Sequence, residues 1–220
     1  MTTTRSRSEV VAEVERLGVV AIIRMPDPAA LRAVVDALAE GGVRILEVTM
    51  TVPRAIELIK EIAPTLPADF IFGAGTLVDA DTVHRAVDAG AQFIVSPVFR
   101  PQVIEAAHKD GVPVMPGCFT PTEILNAWDM GADIIKVFPA TSVGPGYLKD
   151  IRGPLPHVKL MPTGGVSIDN AGDWLRAGAV GVGVGSALVD TKAIAAKQFH
   201  VIADNARRIV ANVAAARGAR

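Results

Sequence analysis

Eight short runs rich in β-branched and aliphatic residues recur along the chain, each separated from the next by an amphipathic stretch. The runs are VVAIIR (19–24), RILEVTM (44–50), FIFGAGT (70–76), FIVSPV (93–98), PVMPGC (113–118), DIIKVFP (133–139), KLMPTGGV (159–166) and VGVGVGS (180–186). Between them lie helical patterns such as PAALRAVVDALAEGG (28–42), PRAIELIKEIAP (53–64) and DTVHRAVDAGA (81–91). Near-continuous apolar strands alternating with helices require a parallel sheet covered by helices. Eight such units in 220 residues predict an α/β fold, a (β/α)8 TIM barrel built as one domain over 1–220. A doubly wound open sheet is the competing arrangement, and the number of strand candidates in so short a chain favours closure. Gly42, Gly90, Gly111, Gly131 and Gly178 each end a helical pattern before a strand, as left-handed C-terminal caps do. An extra N-terminal helix is expected over Ser8–Leu17, and a last helix over Ala193–Ala216.

Composition narrows the partners. With 50% apolar and 20% charged residues the chain is globular. The formal net charge of −1 offers no broad basic field to nucleic acid or an anionic membrane, so an anionic substrate must be held by local groups. The single cysteine, Cys118, excludes an internal disulfide and suits a reducing compartment. The start, MTTTRSRSEV, is polar, unlike a signal peptide. No apolar run reaches the roughly 20 residues of a spanning helix. A soluble, cytoplasmic protein is expected.

In a barrel, chemistry sits where the strands end, so polar residues in those strands carry the functional signal. Lys136 lies inside DIIKVFP with Ile134 and Phe138 on its face, and an ammonium group there costs several kcal/mol to desolvate. Snorkelling to solvent is the bland alternative, but Phe138 and Pro139 follow it. An amine of lowered pKa in an apolar pocket is what Schiff-base chemistry requires. Glu47 shares a face with Ile45 and Thr49; it reads as a general acid/base or as a structural partner of an inward cation. Arg24 ends the first run and could clamp a carboxylate, or pair with Glu47. Thr76, after Gly73 and Gly75, could bond a carboxylate or cap the next helix. Thr163, Gly164 and Gly165 in PTGGVS and Gly185 and Ser186 in VGVGS fall after the last two strands, where barrels bind phosphate; close packing is the alternative. His84, His108, His157 and His200 lack ligand spacing, so a metal-dependent aldolase is disfavoured; no cofactor is expected. Cys118 reads as a small buried residue, and Trp128 and Trp174 as core or interface.

EVTMTVP (47–53), GAGT (73–76), FIVSP (93–97), MPG (115–117), KVFPA (136–140), GPGYLKDIRGPLP (144–156) and MPTGG (161–165), in that order, resemble the class I KDPG/KHG aldolases. These enzymes act on 2-keto-3-deoxy-6-phosphogluconate (KDPG), and the bifunctional group also on 4-hydroxy-2-oxoglutarate. The resemblance covers nearly the whole chain. It implies a Schiff-base lysine at Lys136, an acid/base glutamate at Glu47, a carboxylate contact at Thr76, and pocket walls at Pro97 and Phe138. It implies a phosphate side at Gly164, Gly165 and Ser186, and a homotrimer. Some members carry an arginine shortly after the glutamate; Met50 and Thr51 stand there in this chain, and Arg24 is the expected substitute.

The expected substrate is a phosphorylated 2-keto acid, cleaved to pyruvate and D-glyceraldehyde 3-phosphate. Cleavage of 4-hydroxy-2-oxoglutarate to pyruvate and glyoxylate is expected as a second activity. The 2-keto-3-deoxy-6-phosphogalactonate isomer is the close alternative. A phosphate-binding isomerase or synthase and a non-catalytic barrel scaffold are the more distant ones.

Overall fold

Every strand residue from Val19 to Ile23 (β1), Ile45 to Thr49 (β2) and Ile71 to Gly75 (β3) is buried, as strands covered on both faces must be. The computed structural model describes residues 5–218. Six further strands follow among them: Ile94–Val95 (β4), Val114–Met115 (β5), Gly117–Cys118 (β6), Ile135–Val137 (β7), Leu160–Pro162 (β8) and Val182–Val184 (β9). The helices are Arg7–Leu17 (α1), Leu31–Glu40 (α2), Ala55–Ile62 (α3), Ala80–Asp88 (α4), Pro101–Lys109 (α5), Pro121–Asp129 (α6), Pro145–Arg152 (α7), Ala171–Arg176 (α8), Thr191–Ala195 (α9) and Phe199–Gly218 (α10).

One sheet runs β5-β4-β3-β2-β1-β9 and a second β6-β7-β8. Each of their pairings is parallel. A parallel bridge between Thr163 and Gly183 joins β8 to β9. The fifth apolar run is divided at Pro116, which has no N–H to give a ladder. Its carbonyl still accepts from the Lys136 N–H at 3.0 Å.

The curled sheets have an inner and an outer face. Val20, Ile45, Ile71, Phe93, Val95, Met115, Ile134 and Met161 form an inner cluster, and Val10, Val11 and Val14 of α1 pack into it. Ala21, Ile23, Leu46, Val48, Ile135, Val137 and Leu160 belong to the outer cluster, with the apolar faces of the helices. Strand alternation does this sorting, and places Lys136 on the inner face with Ile134.

The five glycines expected to cap helices all have positive φ, from 75° at Gly111 to 111° at Gly90. The extra N-terminal helix runs from Arg7, capped by a reciprocal Ser6–Glu9 box. The last helix departs from expectation: it is broken into α9 and α10. Lys197 takes φ 56°, and the N–H groups of Lys197 and Gln198 return to the carbonyls of Ile194 and Ala193, a Schellman closure on a residue other than glycine. The strands are shorter than the apolar runs, so Arg24 and Thr76 lie one residue beyond β1 and β3. Residues 1–4 of the polar start lie outside the described residues. Among the described residues no helix is long and apolar enough to cross a membrane.

Candidate active site

A cavity of about 890 Å³ opens at the C-terminal ends of the strands. Arg24, Lys136, Phe138, Thr163, Gly164, Gly165, Gly185 and Ser186 line it, so eight residues singled out in the sequence meet there. Lys136 comes from the middle of β7, and only 5% of it is exposed. Its Nζ lies 5.0 Å from the centre of the Phe138 ring. Burial holds the amine below its ordinary range; the Glu47 carboxylate opposes that shift and the Arg24 guanidinium adds to it. The apolar surroundings dominate, which favours the neutral amine.

Glu47, in β2, is 1% exposed. Neither carboxylate oxygen has a hydrogen-bond partner. Burial raises its pKa, and Lys136 and then Arg24 pull it back. A structural partner would bond an inward cation directly, and Glu47 does not. It sits beside β3, where a Cβ on Gly75 would fall 1.8 Å from Oε1.

The far wall is built from small residues. Gly164 and Gly165 have φ 83° and 72°, and a Cβ on Gly165 would meet Thr141 Cα at 2.8 Å. The Thr163 hydroxyl is buried without a partner and lies where a Gly183 Cβ would be, 2.4 Å away. Close packing therefore accounts for part of this glycine pattern, while Gly185 has open space around it and Ser186 is exposed.

Thr76 and Pro97 do not line the cavity. Thr76 has φ 67°, a left-handed conformation that a β-branched residue rarely adopts. It does not cap the next helix, because Asp79 accepts from the Thr82 N–H there at 2.8 Å. The Pro97 carbonyl instead abuts Gly117, whose Cβ would meet it at 2.2 Å.

Thr51 lines the cavity in a role that sequence reasoning missed. Buried Thr49 donates to the Ile23 carbonyl at 3.2 Å. Its hydroxyl also lies 2.7 Å from that of Thr51, a contact in which either can be the donor. The pair ties Thr51 at the cavity wall to the end of β2. The Thr-x-Thr alternation in EVTMT was the available signal, but Thr51 lies past the end of β2, where alternation no longer fixes the facing.

The remaining candidates fall elsewhere. Burial, with the Glu123 carboxylate adding to it, pushes the Cys118 thiol up to about 12, which is inert for nucleophilic work. Lys159 pairs with Glu15 of α1, and Lys149 is exposed on α7. His84 pairs with Asp110 at 2.6 Å. Trp174 is buried in the core and Trp128 is half-buried against His157. Among the described residues no group of three or more His, Cys, Asp or Glu is placed to hold a metal ion.

Residues 10–204 match the family model described as KDPG and KHG aldolase. The chain belongs to the KDPG and KHG aldolase family. Its curated relatives include a 2-dehydro-3-deoxy-phosphogluconate aldolase of Pseudoalteromonas atlantica, 36% identical over 81% of this chain and 83% of that one. A probable 2-dehydro-3-deoxy-6-phosphogalactonate aldolase of Rhizobium meliloti is 38% identical over 77% of this chain and 80% of that one. Among solved structures, KDPG aldolase from Legionella pneumophila matches with TM-score 0.84 at 31% identity, covering 90% of this chain and 97% of that one. That structure holds pyruvate captured at low pH as a covalent carbinolamine intermediate. As a KDPG and KHG aldolase family member the protein is a carbon–carbon lyase of the pyruvate aldolase type.

Proposed function

We propose that this aldolase cleaves KDPG to pyruvate and D-glyceraldehyde 3-phosphate through a Schiff base on Lys136, with 4-hydroxy-2-oxoglutarate as a second substrate. The observation that carries the reading is Lys136 itself, an amine held toward its neutral form at a cavity wall. The carbinolamine in the Legionella enzyme supports it.

Neutral Lys136 attacks C2 of the keto acid, and loss of water leaves an iminium. Glu47 takes the C4 hydroxyl proton, the C3–C4 bond breaks, and its electrons pass to the iminium nitrogen. The aldehyde departs. Glu47 returns the proton to C3 of the enamine, and water releases pyruvate and the amine. A carboxylate with a raised pKa can both accept and return a proton near neutrality.

Arg24 carries the substrate carboxylate, its guanidinium belonging to a residue of the cavity wall. Thr76 stands outside the cavity lining, and the second carboxylate contact that the family resemblance implies for it is supported only by its strained backbone at the end of β3. Phe138 bounds the pyruvyl end. The wall of Thr163, Gly164, Gly165, Gly185 and Ser186 receives the phosphate through backbone N–H groups and the serine hydroxyl. We read the two sheets as one (β/α)8 barrel, with β5 and β6 as a single strand interrupted at Pro116 and the Thr163–Gly183 bridge as its closure. We read the chain as one domain that works as a cytoplasmic homotrimer.

Comparison of kcat/KM for KDPG, its phosphogalactonate isomer and 4-hydroxy-2-oxoglutarate tests the substrate. KDPG is expected to lead, and a preference for either of the others would replace it. An inert protein would return the fold to a scaffold role.

A further inference from the structure

Gly75 lies in β3 opposite Thr49 of β2 and accepts the Met50 N–H at 2.8 Å. It is not among the glycines of positive φ, so its backbone is one that alanine adopts freely. What a side chain there would meet first is Glu47. The three atoms nearest a Gly75 Cβ are Glu47 Oε1 at 1.8 Å, Cδ at 2.4 Å and Cγ at 2.7 Å. The Glu47 carboxylate, buried and without a hydrogen-bond partner, therefore occupies the volume that a side chain at 75 would fill.

We propose that Gly75 is a positioning residue for this aldolase: the recess left by its missing side chain holds the Glu47 carboxylate in its working place. This rests on the acid/base reading of Glu47. No hydrogen bond orients that carboxylate, so the recess must hold it against the undirected pull of Lys136 and Arg24. A methyl group at 75 displaces the carboxylate, yet leaves Lys136, on β7, where it is. Gly73, two residues earlier, differs in kind: the atoms nearest its Cβ belong to the Phe93 ring, so a substitution there disturbs packing and not the acid.

The test is a mutant cycle between positions 75 and 47. In Gly75→Ala, kcat is expected to fall about 100-fold, the scale of a lost acid/base group, with KM little changed. Borohydride should still trap pyruvate on Lys136. In the Glu47→Asp background, where the side chain is one methylene shorter, Gly75→Ala should cost at least tenfold less than it does beside glutamate. Equal cost in both backgrounds, or a Gly75→Ala enzyme within about threefold of the parent, overturns the proposal. If Gly75→Ala does not fold, Glu47→Ala/Gly75→Ala decides: restored folding supports the recess, and a double variant that stays unfolded overturns it. A Glu47→Gln enzyme with parental turnover would remove the acid/base role instead, and the stability cycle would still test the recess.

Discussion

Both titratable groups deep in the site are displaced toward their neutral forms, and each displacement costs folding stability over a defined pH range. The Glu47 pKa is raised above the ordinary 4.5, so the native protein keeps a proton that the unfolded chain releases. Its penalty appears as pH rises through 4.5 and is complete above the native pKa. The Lys136 pKa is lowered from 10.5, so its penalty is complete below the native pKa and fades as pH approaches 10.5. Glu47→Gln is therefore expected to raise Tm near neutrality, by about 2–4 °C per kcal/mol at this chain length. That advantage should shrink as pH falls toward 4.5; calorimetry at a series of pH values reads it, and a gain that does not vary with pH contradicts it. The same variant should lose about 100-fold or more in kcat and stop exchanging the C3 protons of pyruvate with D2O, an exchange that isolates the enamine step. Lys136 and Glu47 were legible in the sequence because an ionisable residue inside an apolar strand violates the pattern around it. Thr51 was not, because it lies beyond the end of β2, where strand alternation no longer says which side chains face the cavity.

At the scale of elements, the helix ends were legible wherever glycine marked them. Position 197 was not, because alanine and lysine favour helix and nothing local announces a break. After the turn, α10 packs on α2 and α8. Lys197→Gly keeps the Schellman closure without the left-handed penalty. It is expected to stabilise the protein by about 1 kcal/mol, read as a rise in denaturant midpoint at constant slope. The wall after β8 makes the opposite case. Gly165→Ala meets both a left-handed φ of 72° and Thr141 Cα at 2.8 Å. Its expected signature is a raised KM for phosphorylated substrate with pyruvate trapping on Lys136 unchanged. Loss of both together would mean that the wall supports Lys136 and not the phosphate.

Across the whole molecule, stability and chemistry are divided between the two ends of the strands. α1 fills the N-terminal end with Val10, Val11 and Val14, while Lys136 and the cavity lie toward the other. Val14→Ala is expected to cost about 2 kcal/mol and leave kcat unchanged, by thermal unfolding and steady-state assay on the same sample. The alternation of strands and helices made the α/β architecture legible, since near-continuous apolar strands have few other solutions. The division into two sheets was not, because it falls at Pro116, which lacks a ladder N–H, and between β8 and β9, which share only the Thr163–Gly183 bridge. Assembly was not legible either: no periodic apolar stripe marks a surface, and the trimer rests on resemblance. Sedimentation at three times the chain mass of 23.0 kDa is expected, and a monomer would oppose it. The most direct measurement is borohydride reduction in the presence of pyruvate, followed by peptide mapping. One reduced pyruvate per chain, on Lys136 and absent from Lys136→Met, is the predicted result; no adduct, or an adduct on Lys149 or Lys159, would contradict it.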